Sequence, residues 1–129
     1  MRKWIDVITG AAAGGAGVAT ATGTSQQSMD LGEIEAVAFT FSGTAPATTD
    51  LTLTLLGSGG QPDQTVVVRS NSGTPDTLYP RVSAKLVDAA SAAITGAWDK
   101  IIGSGRLKLD VAQCDNDVVT TARVYFKKD

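Results

Sequence analysis

The chain has 129 residues, of which 43% are apolar and only 19% charged, which describes one globular domain with a modest core rather than a disordered segment. Eleven Lys and Arg against thirteen Asp and Glu leave a net charge of −2, so there is no electrostatic reason to seek nucleic acid. One cysteine, Cys114, excludes an internal disulfide and a multi-cysteine metal site, and the absence of histidine removes the commonest general base and transition-metal ligand.

The first strand is expected over Lys3 to Thr9, with Ile5 and Val7 on one face and Trp4 and Ile8 on the other. Met1-Arg-Lys carries two cations, but Asp6 interrupts the following apolar run, and glycines and alanines come next. This does not make the apolar region of a signal peptide. No run of about 18 apolar residues exists to span a membrane, and synthesis in a cytoplasm is expected. Gly10 to Gly17 is small and flexible, and Val18 to Ser25 reads as an extended strand with little to bury. Residues 1–25 are expected to be an N-terminal arm or outer strands, with residues 26–129 forming a β-sandwich domain.

Glu33 to Ser42 alternates strongly, with Val37, Phe39 and Phe41 (and Glu35) on one face and Ile34, Ala36, Ala38 and Thr40 on the other. Pro46 breaks the run inside a turn. Leu51 to Leu56 sets Leu51, Leu53 and Leu55 against Thr52, Thr54 and Leu56. Gly57 to Pro62 is a loop by composition, Gln64 to Ser70 a β-branched strand, and Asn71 to Asp76 another loop. Thr77 to Ala89 is ambiguous and is read as a strand, followed by a loop over Asp88 to Gly96. Ile101 and Ile102 form a short apolar segment before Gly103-Ser-Gly105.

The strongest pattern comes last. Leu107, Leu109 and Val111 alternate with Arg106, Lys108 and Asp110, and Ala122, Val124 and Phe126 alternate with Thr121, Arg123 and Tyr125. Cys114-Asp-Asn-Asp117 between them supplies turn residues that bond their own backbone, so the two runs are expected to pair as an antiparallel hairpin. Such a hairpin needs a second layer over its apolar face. About eight strands, with turn signals every ~8–12 residues, give the fold class: an all-β, single-domain antiparallel β-sandwich, jelly-roll-like, with an extended N-terminal arm.

Candidate sites are few. Ile8-Thr-Gly-Ala-Ala-Ala-Gly-Gly-Ala-Gly17 starts like a dinucleotide-binding loop, but Ala16 and Thr20 stand where glycines are required, and no βαβ alternation follows. Asp115 and Asp117 offer too few oxygens for a calcium loop. Glu33 and Glu35 make a conceivable carboxylate dyad or a solvated strand end. Cys114 has no histidine to activate it. Asp88, Asp99 and Lys100 have no site-like spacing. Exposed aromatics for a ligand groove can come only from Trp4, Trp98, Tyr79 and Tyr125, and Tyr125 with Arg123 would suit a protein contact if their face is open. No catalytic, cofactor-binding or metal-binding residue is assigned, and the chain is expected not to be an enzyme.

Six stretches carry a family resemblance. They are Glu33 to Leu55 with its Gly-Thr-Ala-Pro-Ala-Thr-Thr-Asp turn, Leu78-Tyr-Pro-Arg81, Val87-Asp-Ala-Ala, Ala93-Ile-Thr-Gly-Ala-Trp-Asp, Ile-Ile-Gly-Ser-Gly-Arg-Leu-Lys-Leu-Asp-Val-Ala-Gln, and Ala-Arg-Val-Tyr-Phe. Together, over roughly residues 30–126, they resemble capsid decoration or cement proteins (minor head proteins) of tailed bacteriophages, which have a jelly-roll-like β-sandwich. The resemblance implies a non-enzymatic, homo-oligomeric (trimer or dimer) virion structural protein on the capsid exterior, made in the host bacterial cytoplasm. Its partner would be the major capsid protein, and neither membrane nor nucleic acid would be bound. It brings no catalytic residues and no cofactor. The alternative is a glycan-binding jelly roll or fibre module on a virion surface.

Overall fold

The computed structural model describes residues 2–83, 86, 87, 93, 94 and 98–128, and side chains outside positions 82–98. Among the described residues there is no helix, and hence none long and apolar enough to cross a membrane. The strands are β1 (Arg2–Ile8), β2 (Ala19–Thr24), β3 (Met29–Phe41), β4 (Asp50–Leu55), β5 (Gln64–Arg69), β6 (Asp76–Leu78), β7 (Arg81–Ser83), β8 (Leu86–Val87), β9 (Ala93–Ile94), β10 (Trp98–Gly105), β11 (Leu107–Cys114) and β12 (Thr120–Lys128). They form two antiparallel sheets in a jelly-roll-like β-sandwich. One sheet runs β1-β12-β3-β10-β7, with β6 also against β3; the other runs β2-β11-β4-β5; β8 and β9 pair with each other.

The two C-terminal runs alternate as expected, but they do not form a hairpin. β11 lies between β2 and β4, and β12 between β1 and β3 in the opposite sheet. Residues 115–119 therefore cross from one sheet to the other. The reason is burial. Leu107, Leu109 and Val111 from one sheet, and Ala122, Val124 and Phe126 from the other, all belong to the single core. Facing each other across the sandwich, the two apolar faces exclude water from both.

Three further expectations are corrected. First, β3 does not keep one alternation. Ala36 stands opposite Tyr125 and Ile34 opposite Phe126, so Glu35 is an extra residue, a β-bulge. The bulge turns Ile34 into the core with Val37 and Phe39, and the three do not occupy opposite faces. Second, the segment around Ile101 and Ile102 is a full strand, β10, paired with β3 and β7. Its glycines hide it from a propensity reading; at Gly103 a Cβ would press on the end of the Leu55 side chain, which would have to shift. With β10 added and the short pieces β6 to β9 counted separately, the strands among the described residues number twelve. Third, residues 2–24 are outer strands and not a free arm. β1 pairs with β12 along its whole length and β2 with β11, burying Ile5, Val7 and Ala19. The expected loop over Asp88 to Gly96 falls mostly outside the described residues.

One side of the sandwich is held by an ion pair. Arg69 on the edge strand β5 points inward and is only 9% exposed. Its guanidinium donates to Asp76 Oδ1 at 2.6 Å and to the Ser72 carbonyl at 3.1 Å, and lies 5.2 Å from the Phe39 ring centroid. Arg69 belongs to one sheet and Asp76, on β6, to the other, so the pair ties them together. Asp76→Ala would strand a buried cation. The expected loss in urea unfolding is about 2 kcal/mol, below the ~3–5 for a fully buried pair because the Asp76 side chain is 44% exposed. Replacing both residues, as Arg69→Met with Asp76→Ala, should recover most of that loss.

Candidate binding groove

The two sheets have neighbouring edges at β1 and β2. They close where Gly23 packs against the backbone of Ile8, a position where a Cβ would collide with the Ile8 carbonyl and Thr9 Cα. Beyond that point they part, leaving an open groove of about 430 Å³ lined by Trp4, Ile5, Asp6, Ile8, Thr24, Gln26 and Gln27.

β1 supplies one wall by period-2 alternation. Ile5 and Val7 are buried, which sends Trp4, Asp6 and Ile8 to the outer face. The Trp4 indole is 58% exposed. Arg123, opposite Asp6 on β12, donates to both Asp6 oxygens at 2.8 and 3.0 Å and lies 5.5 Å from the Trp4 ring centroid. Arg2 lies 4.6 Å from the Tyr125 ring and pairs with Glu35 at 3.6 Å. Aromatic and guanidinium groups thus alternate on one sheet face and fix one another through cation–π contacts.

The other wall is the 24–27 turn, and Arg106 holds it. Its Nε donates to the Ser25 carbonyl at 2.9 Å and its Nη2 to the Gln26 carbonyl at 3.2 Å. The buried Ser25 hydroxyl donates to the Gln27 carbonyl at 2.7 Å and accepts from Leu107 N–H at 3.0 Å. The carbonyls of Ser25, Gln26 and Gln27 are therefore all occupied by side chains, and Gln26 and Gln27 line the groove. Each carboxamide offers two donors and an acceptor.

The hydrogen bond from Arg123 holds the Asp6 carboxyl below the usual carboxylate range; partial burial opposes this and the Arg123 charge adds to it. Asp6 raises the Arg123 pKa in turn. At neutral pH the pair is fully ionised, so Asp6 is an acceptor and not a proton donor. No group of three or more metal-ligating side chains occurs among the described residues.

The other candidates fall elsewhere. The Gly10–Gly17 segment is stapled to the 115–118 crossing. Ala12 N–H donates to the Val118 carbonyl at 3.0 Å, Asp117 N–H to the Ala12 carbonyl at 2.8 Å, and Gly17 N–H to Asp115 Oδ1 at 2.9 Å. Asp115 thus caps a backbone group far away in sequence and not its own turn. Cys114 is fully buried. Glu33 and Glu35 are not a dyad in a cleft, because Lys100 lies 3.4 and 3.8 Å from them. Tyr79 is exposed, on the link after β6. Trp98's side chain and Asp88 lie outside the described positions. A larger depression of about 600 Å³ beside the 57–65 loop has no aromatic residue in its lining.

Sequence reasoning counted Trp4 as one of four aromatics available to a groove and missed Gln26, Gln27 and the holding role of Arg106. The only available signal was the polar run Thr24-Ser-Gln-Gln-Ser28 between two strands.

No protein-family model matches the chain, and no curated protein matches it. Solved structures do resemble it. They include CpGH89CBM32-5 from Clostridium perfringens in complex with GalNAc-β-1,3-galactose (TM-score 0.47, 14% identity, 83% of this chain and 66% of that one). They also include chitosan-binding module 1 from the chitosanase/glucanase of Paenibacillus sp. IK-5 (TM-score 0.49, 10% identity, 88% and 72%). A third is the family 32 carbohydrate-binding module of Clostridium perfringens NanJ in complex with galactose (TM-score 0.45, 12% identity, 84% and 66%). The chain thus spans just under two thirds of the first and third. All three overlaps are partial, and the ligands are those of the proteins named.

The Asp6–Arg123 pair gives a pH prediction. Asp6 has a lower pKa folded than unfolded, so its stabilising effect is complete above the unfolded value of about 4 and fades as pH falls through the depressed folded value. Wild type should melt above Asp6→Asn at pH 6–7, and the gap should close below about pH 4. Melting curves that stay equally separated down to acid pH would show that the pair's titration is not responsible.

Proposed function

We propose that the protein is a non-catalytic carbohydrate-binding β-sandwich module whose ligand lies in the groove between β1 and the 24–27 turn. The observation that carries this reading is the exposed Trp4 indole set beside the carboxamides of Gln26 and Gln27 and the Asp6–Arg123 pair. A pyranose ring has an apolar face of C–H groups and a rim of hydroxyls. An aromatic plane meets the first, and a few fixed planar donors and acceptors meet the second. The Asp6 side chain on the groove wall is held by the Arg123 fork, so little of its side-chain entropy remains to be lost on binding.

A glycan array followed by calorimetry tests this. Saturable binding is expected, and Trp4→Ala should weaken it about tenfold, or ~1.4 kcal/mol, without moving the melting temperature. No saturable binding to any glycan on the array would overturn the reading.

A second reading is favoured by the sequence resemblance over residues 30–126 and by the Tyr125, Arg123 and Arg2 side chains gathered on one outer sheet face. In it the protein is a homo-oligomeric decoration protein that binds the major capsid protein on the outside of a phage shell. Tyr and Arg are the types that dominate protein contacts. Many modest bridges acting together would stabilise the shell. The two readings are compatible if a module on a virion surface binds host glycans. Co-sedimentation with phage capsids stripped of the component separates them. Binding at a fixed ratio to the major capsid subunit, weakened by Tyr125→Ala with Arg123→Ala, is the outcome expected of a decoration protein; the absence of saturable binding would remove that role.

A further inference from the structure

The groove has a third polar component besides its side chains: the main chain of β1. Register decides which peptide groups are free. Thr9 N–H donates to the Thr120 carbonyl at 3.0 Å, continuing the β1–β12 register, so odd-numbered residues of β1 turn their N–H and C=O toward β12. Even-numbered residues turn theirs the other way, and Gly10, of the same parity, donates to the Thr22 carbonyl at 3.2 Å. The Ile8 carbonyl lies against Gly23. That leaves Arg2, Trp4 and Asp6. Trp4 and Asp6 line the groove and Arg2 does not, and among the described residues neither Trp4 nor Asp6 is paired with a strand on that side.

We propose, building on the carbohydrate reading, that the groove selects a pyranose bearing an acetamido group, held by the free edge of β1 at Trp4 and Asp6. The chemistry is that of a sheet edge. There, one residue of a neighbouring strand offers an N–H and a C=O on either side of its Cα. An acetamido N–H and the hydroxyl oxygen on the adjacent ring carbon form the same donor–acceptor couple. The N–H meets a free carbonyl of β1, and the oxygen accepts from the next free N–H two residues along. Ile8, exposed at the closed end of the groove, gives the acetyl methyl an apolar contact. A sugar with only hydroxyls lacks both the amide donor and the methyl. An added peptide strand fits less well, because Gly23 closes the edge after Asp6, and two residues are too short a run to anchor a strand.

The test is an NMR titration of the ¹⁵N-labelled protein with the methyl glycosides of N-acetylglucosamine and N-acetylgalactosamine, each against its parent glucoside or galactoside. At least one acetamido sugar should bind about tenfold more tightly than its parent, the factor one well-made hydrogen bond and a buried methyl supply. The amide resonances of Trp4 and Asp6 should move with it. Equal binding of acetamido and parent sugars, or shifts that spare both amides, would overturn this proposal and leave the carbohydrate reading standing. No binding by any of them, or by any glycan on the array, would remove both. Asp6→Pro set against Asp6→Ala gives an independent check. Proline removes only the outward N–H of an edge strand and leaves the β12 ladder intact. Both variants lose the Asp6–Arg123 pair, so the alanine variant is the reference for melting as well as for binding; the proline variant should lose the acetamido preference that the alanine variant keeps, and equal preferences in the two would overturn the proposal.

Discussion

The structure depends on two strands that each have only one dry face. β11 and β12 carry the cleanest alternation in the chain, and each needs its apolar side covered. Placing them in opposite sheets solves both needs at once, and it then dictates the rest. Each must be flanked by other strands, and the partners come from far away in sequence: Ile5 with Val124, Ala21 with Val111, Leu53 with Leu109. The C-terminal strands are slotted between strands made early in the chain, so no N-terminal part of the sandwich is complete without them. Such long-range pairing belongs with slowly folding β topologies.

A sandwich of this kind has open sheet edges, and the chain treats them differently. β5 turns a buried arginine inward and ties itself to β6 through Asp76. Inward-pointing charge is one of the ways an edge is kept from pairing with another chain. β2 and β1 are pinned to each other at Gly23 and Ile8, and only beyond that point does β1 have a free margin. The groove is thus a consequence of two edges joined at one end and separated at the other. Arg106, at the junction of β10 and β11, holds the separated end open by fixing the turn that forms its far wall.

Much of this was legible in the sequence, and the failures have physical causes. Period-2 alternation marked β1, β4, β11 and β12, and in β4, β11 and β12 it separated the apolar face that is buried; in β1 both faces carry apolar residues, and the structure buries Ile5 and Val7. Alternation could not say which strand lies beside which. Cys114-Asp-Asn-Asp117 looks the same whether it turns within a sheet or crosses between sheets; the burial of both apolar faces decides, and bonds from the loop to Ala12 and Gly17, about a hundred residues away, then hold the crossing. The bulge at Glu35 was invisible for a related reason: one extra residue changes the face of everything before it, and no residue type announces it. β10 was hidden by its glycines: Gly103 packs closely against the Leu55 side chain, and Gly105 has a φ of 129° and lies against the Leu56 carbonyl. Of the groove, Trp4 was legible as an exposed aromatic. Gln26 and Gln27 were not, since an amide in a polar turn is ordinary until a wall is found opposite it.

The core and the groove are coupled through the parity of β1. The alternation that buries Ile5 and Val7 also delivers Trp4, Asp6 and Ile8 to the outer face and turns the main chain of Trp4 and Asp6 toward the open edge. A slip of one residue would drive Asp6 into the core and lose every element of the site together. The register is therefore fixed by more than hydrophobic contact. Thr9 bonds Thr120 twice, through its own N–H and through its hydroxyl, which accepts from Thr120 N–H at 3.1 Å. Asp6 and Arg123, directly opposite each other, add a charged pair that exists in one register only. Asp6 thus has two roles: its side chain locks the strand in place, and its main chain faces whatever enters the groove. A residue with both roles cannot be changed for one without disturbing the other, so side-chain removal at Asp6 and main-chain removal at the same position must be compared rather than read singly.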